Sequence, residues 1–224
     1  MSQELSIFVD ESGDRAGLSE YYLVCLVFHN QKNDVSESVM KYERFLALSN
    51  LPNIPFHSEP LLNGRKEYAN LGLQSRKRMI SSFATLVRHL PIKYTSFIYK
   101  RKEYAQPSHL SKRIEDDLKD FLSSELEFFQ QYEVVKVYYD NGQDVVKQAL
   151  DSSLNAVLST GVVERRKTSM TDYRLEQVAD YLCTIELAAT KYEASKNGAT
   201  YNKFFGGVGC FKRNWLKQVI RKKL

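Results

Sequence analysis

Cysteine, glycine and proline are scarce in this chain of 224 residues, which holds three, ten and five of them. So few breakers, with no low-complexity run, exclude a disordered or fibrous chain and leave an ordinary globular composition. Cys25, Cys183 and Cys210 are odd in number, far apart and set among apolar neighbours. That spacing excludes a disulfide framework and a zinc pattern, and the three read as small buried hydrophobes. No apolar run approaches the roughly 20 residues of a membrane span. Met1-Ser2-Gln3-Glu4 lacks the basic start and apolar stretch of a secretory signal, so the expected location is cytosolic, with no membrane partner. Gly206-Gly207-Val208-Gly209 has no strand before it and no Lys-Ser/Thr after it, which removes a nucleotide loop and leaves a hinge or turn. Ser12 has no placed His, so nothing supports nucleophilic-serine or thiol chemistry.

What is present is acid at the ends of apolar segments. Ile7-Phe8-Val9-Asp10-Glu11-Ser12-Gly13-Asp14 closes a short apolar strand with three carboxylates and a turn glycine. Val134-Val135-Lys136-Val137-Tyr138-Tyr139-Asp140 runs a second strand into an acid, with Asn141-Gly142 to turn the chain. Gln177-Val178-Ala179-Asp180 sets an acid inside an apolar helix, and Glu176 precedes it by one turn. An unpaired acid in such a place must be neutralised by a base, a metal or a proton. Strand side chains alternate faces, so Asp10 projects with Phe8 and Ser6 while Glu11 points away with Val9 and Ile7. Asp10 is therefore the stronger ligand candidate. Asp144 and Asp151 read as surface residues, Asp14 and Asp172 as turn or cap residues.

The net charge of +5 and pI near 8.9 permit a nucleic-acid partner without demanding one. Basic clusters stand at Arg76-Lys77-Arg78, Lys100-Arg101-Lys102, Arg165-Arg166-Lys167 and Arg221-Lys222-Lys223. Periodicity predicts strands over 5–9, 21–28, 92–99, 134–139 and 162–166, and helices over 34–49, 74–90, 108–131, 143–158 and 172–194. An extended stretch is expected at Phe56-His57-Ser58-Glu59, and a short helix carrying Trp215 and Val219 near the C-terminus. The order suits one α/β domain spanning 1–224, a mixed sheet covered by helices.

These motifs, Phe8 to Asp14, Tyr138 to Gly142 and Leu175 to Leu182, give the chain a resemblance to the domain of unknown function 3800 family of bacterial and phage proteins. That family looks like a divergent branch of the RNase H-like superfamily. The resemblance implies an RNase H-like mixed five-stranded sheet and a two-metal nuclease site using Mg²⁺ or Mn²⁺. It would make Asp10 the central ligand, with Asp140 and Asp180 beside it. His57-Ser58-Glu59 fits the family's His followed by an acid, so Glu59 becomes a candidate fourth ligand and His57 a substrate contact or proton shuttle. Glu11, Glu176 and Gln177 are secondary candidates, and Arg165, Arg166 and Lys167 would hold phosphates of DNA or RNA. Two other readings stay open: a nucleic-acid or protein-interaction module that no longer cuts, and a phosphatase of small phosphate esters using the same metals.

Overall fold

The computed structural model describes residues 3–13, 19–139, 143–158, 161–166 and 174–224. Five strands form one sheet in the order β3-β2-β1-β4-β5: β1 Glu4–Ser12, β2 Tyr21–Asn30, β3 Ile92–Lys100, β4 Val134–Tyr138 and β5 Val163–Arg166. β1, β2 and β3 are antiparallel neighbours, whereas β4 runs parallel to β1 and β5 parallel to β4. The C-terminal ends of β1, β4 and β5 therefore lie at one end of the sheet. This is the mixed five-stranded sheet flanked by helices that the resemblance implies.

Both faces of the central strands are apolar, and the period of two divides them. Phe8 on β1 and Cys25 and Val27 on β2 enter one core, whose helices are α1 (Ser36–Leu48), α3 (Leu73–His89) and α7 (Arg174–Glu193). Ile7, Val9, Val24 and Leu26 enter the other, under α4 (Pro107–Ser124) and α6 (Asp144–Val157). The alternation sends Asp10 toward α7 and Glu11 toward α6, as the strand reading requires. At the end of β1, Gly13 has φ +131°, and a Cβ there would stand 2.8 Å from Tyr22 Cδ2. Only glycine fits that exit from the strand.

Two elements differ from expectation. Residues 56–59 are not all extended: His57 is, but Ser58 opens a short helix, α2 (Ser58–Asn63), on which Glu59 sits. Pro60 is tolerated in a first turn whose N–H groups have no helical partner, and Gly64 closes the helix in the left-handed region. Arg76 then caps it from α3, donating to the Leu61 and Leu62 carbonyls at 2.7 and 3.0 Å. The single helix expected over 108–131 breaks at Glu125 into α4 and α5 (Leu126–Phe129). The break lets Phe128 and Phe129 pack edge-on against Phe28, at 6.0 and 5.8 Å between ring centres.

After α7 come α8 (Ala199–Phe205), α9 (Val208–Phe211) and α10 (Lys217–Ile220), the last two joined by a π-helical turn at Lys212–Leu216. The chain then adds to the edge of the sheet, with Tyr94 donating to the Lys222 carbonyl and Leu224 to the Tyr94 carbonyl. No helix among the described residues is long and apolar enough to cross a membrane.

Candidate functional site

Asp10 stands near the end of β1, opposite Cys25 of β2, and keeps some exposure. Its carbonyl accepts from Cys183 Sγ at 3.4 Å, which straps α7 to the strand. Asp180, one turn earlier on α7, is buried at 6% exposure. Its carboxylate accepts the Ser58 N–H, at 3.3 Å to Oδ1 and 3.1 Å to Oδ2, and His57 Nε2 lies 3.6 Å from Oδ2. The start of α2 is thus fixed on Asp180, and the acid on Ser58.

Both carboxyls titrate above the ordinary range. Burial pushes Asp10 well up, and the charge of Asp180 pushes it further, followed by Glu11 and Glu176. Burial also raises Asp180; His57 and the Ser58 N–H pull it back, and Glu59 raises it again. Acids from β1, α2 and α7 therefore feel one another in a poorly hydrated place with too little positive charge.

Glu11 serves another purpose. On the α6 side it accepts from the Tyr139 hydroxyl and, at 3.0 Å, from the Gln143 N–H. It grips the two residues that flank 140–142. Asp140 itself lies outside the described residues, as does Lys167. β1 and β4 stay in register to Phe8 opposite Tyr138, and Asp10 and Asp140 each follow that pair by two positions in the sequence.

Glu176 is buried, and its charge adds the smallest of the upward pushes on Asp10. Gln177 is a positioning residue: its Oε1 accepts the buried Phe56 N–H at 2.9 Å and Arg174 Nη1 at 3.0 Å. Gln177→Leu would leave that N–H unpaired, and chemical denaturation should show a loss of about 1–3 kcal/mol. His57 is held from behind, donating its N–H to the Tyr68 hydroxyl, which donates to the Pro55 carbonyl. Glu59 is more exposed and is engaged locally, by Asn63 at 2.8 Å and Arg65 at 3.4 Å.

The paired arginines separate. Arg166 is in register with Tyr138, and Tyr138 with Phe8, so Arg166 belongs to the Asp10 face, where Glu164 pairs with it. Arg165 is in register with Val137 on the other face and is tied to Asp151 of α6. Other sequence clusters are consumed by structure: Arg76 caps α2, Arg101 lies over the Tyr22 ring, Lys222 bonds the Leu90 carbonyl and Lys223 pairs with Glu186.

Arg174 and Tyr68 were not foreseen; Cys183 is buried as its sequence setting predicts, but its bond to the Asp10 carbonyl is new. Arg174 carried a signal, because a cation in a helix's first turn opposes the macrodipole and needs its own acceptors. It has them in Glu43, Asn53 and Gln177. Among the described residues no group of three or more His, Cys, Asp or Glu side chains is disposed to hold a metal ion.

No family model matches the chain, and no curated protein matches it. Among solved structures it is similar to the RNase HII of the PCNA:RNase HII complex from Archaeoglobus fulgidus, at 11% identity and a TM-score of 0.43 over 97% of this chain and 89% of that one. It is also similar to ribonuclease H2 from Pyrococcus horikoshii OT3, at 10% identity and a TM-score of 0.42 over 94% of this chain and 98% of the other.

Proposed function

We propose that the chain is a divalent-metal-dependent nuclease acting on DNA or RNA, with Asp10 and Asp180 at its centre and Asp140 and Glu59 completing the shell. The observation that carries this reading is a pair of acids from two separate elements at the end of the sheet, both raised above their ordinary range by burial, with the charge of Asp180 raising Asp10 further. Clustered carboxylates with insufficient counter-charge fit a hard cation, and their oxygens are the donors Mg²⁺ or Mn²⁺ takes. Bound there, a divalent ion would supply a water of lowered pKa and offset charge on a phosphate oxygen.

The protein's own residues do the rest. The Ser58 N–H orients the Asp180 carboxylate, and Gln177 holds the α2 entry through Phe56. His57 Nε2, beside Asp180 and partly exposed, can take or give a proton at the phosphodiester. Arg166, on the Asp10 face, meets the backbone of the strand. Arg166→Ala should therefore weaken oligonucleotide binding severalfold and lower its salt dependence, whereas Arg165→Ala should leave both near the parent's; titrations at two salt concentrations compare them.

The test of function is cleavage of single- and double-stranded DNA and RNA with magnesium or manganese. A second reading, a binding module that no longer cuts, is favoured by the lack of a three-ligand set among the described residues. A manganese titration separates the two: a flat calorimetric trace supports the second and sinks the first.

A further inference from the structure

A groove of about 510 Å³ opens between α3 and the C-terminal helices, and none of the acidic centre's residues lines it. Lys77 and Arg88 reach it from α3, Lys203 from α8, and Asn214, Trp215 and Gln218 from the last turns. None of its lining residues is acidic. Among the described residues, none of the three cations has an acidic side chain within ion-pair distance.

The indole is presented rather than loose. Phe205 holds the Trp215 ring in a T-shaped contact at 5.0 Å and 71°. The π-helical turn at Lys212–Leu216 carries Asn214 and Trp215, a widened geometry often found where side chains meet a ligand. Gly206, another lining residue, has φ +77°, and its carbonyl accepts from the Tyr192 hydroxyl of α7. A ring fixed in advance loses little freedom on stacking. Aromatic surface beside cations takes a base and its phosphate whatever the base, and carboxamides can meet a base edge. A duplex hides its base faces, so the fitting ligand is a single strand.

We infer that this groove is a nucleotide subsite that seats one base on Trp215 and its phosphate on Lys77, Arg88 and Lys203. The strand is the substrate of the acidic centre, and to that extent the assignment rests on the nuclease reading. Tyr192 is twelve residues along α7 from Asp180, roughly 18 Å, so a bound strand would run several nucleotides between the two.

Trp215 is the chain's one tryptophan, so its emission reports on the groove directly. The Asp10→Asn protein, titrated without metal with a single-stranded oligonucleotide, should show quenching of that emission. An Arg88→Glu, Lys203→Glu double variant changes two exposed positions and should keep its melting temperature while binding about tenfold more weakly or worse. Unchanged emission at saturation, or unaltered affinity in the double variant, overturns the subsite. Quenching by a nucleoside monophosphate but not by the oligonucleotide overturns the strand assignment, and equal quenching by an acidic peptide overturns the nucleotide chemistry. Quenching in a chain that cuts no nucleic acid would leave the groove standing and sink the nuclease reading; cleavage without quenching does the reverse.

Discussion

Asp10→Asn is expected to abolish metal-dependent cleavage, by a factor on the order of 10³, while leaving oligonucleotide binding near the parent's. Asn keeps the size of the side chain and its place on β1 but removes the charge that a cation requires. Asp180→Asn should lose activity to a similar degree and differ in one respect. Its carboxylate accepts the Ser58 N–H, so the substitution also loosens the His57 to Glu59 entry of α2. Single-turnover rates under saturating manganese, set beside binding constants measured without metal, separate the chemical loss from the loss of substrate. Retained cleavage in the Asp10 variant would remove that residue from the centre.

The same substitution should make the metal-free protein more stable. Asp10 and Asp180 have an ordinary value of 3.8 in the unfolded chain and are raised in the folded one, chiefly by burial and, for Asp10, by its neighbour's charge. As pH climbs past about 4 the unfolded chain sheds these protons first, so folding stability is fully present below that value and is lost as pH rises through the folded values. The parent's metal-free melting temperature should thus fall between about pH 5 and 7.5. Asp10→Asn should flatten the fall and gain about 1–2 kcal/mol at neutral pH, a few degrees in Tm. Glu20, Asp34 and Glu115 act in the opposite sense, each lowered by a hydrogen-bonding partner, and matter only as pH drops through their own range. Manganese should raise the parent's Tm and leave that of Asp10→Asn nearly unmoved. Scanning calorimetry across pH, with and without the ion, reads all of this; a parent that melts higher at pH 7.5 than at pH 5 without metal would contradict it.

Much of this arrangement was legible because strands have a period of two. The alternation from Ile7 to Glu11 separates Asp10 from Glu11, and the two acids do face different cores. The apolar surroundings of Asp180 likewise announced a buried acid in need of a partner. The partner was not legible: Ser58 lies 122 residues away in sequence and offers a backbone N–H, which no residue type encodes. Pro55 and Pro60 disguised α2, since the prolines that break a helix's interior are tolerated at its start. The basic clusters misled for a related reason. Composition cannot tell an arginine that waits for phosphate from one that caps a helix, and Arg76 is the second kind. Arg165 and Arg166, adjacent in sequence, become different residues only when the register with β4 sends one to each face.

The claim on which the rest depends is that a cation sits between β1 and α7. Anomalous diffraction from crystals grown with manganese tests it most directly. The account predicts a peak within coordination distance of both the Asp10 and the Asp180 carboxylates, and its loss in Asp10→Asn crystals. A parent crystal with no peak there under excess manganese, or with peaks only elsewhere on the surface, would contradict it.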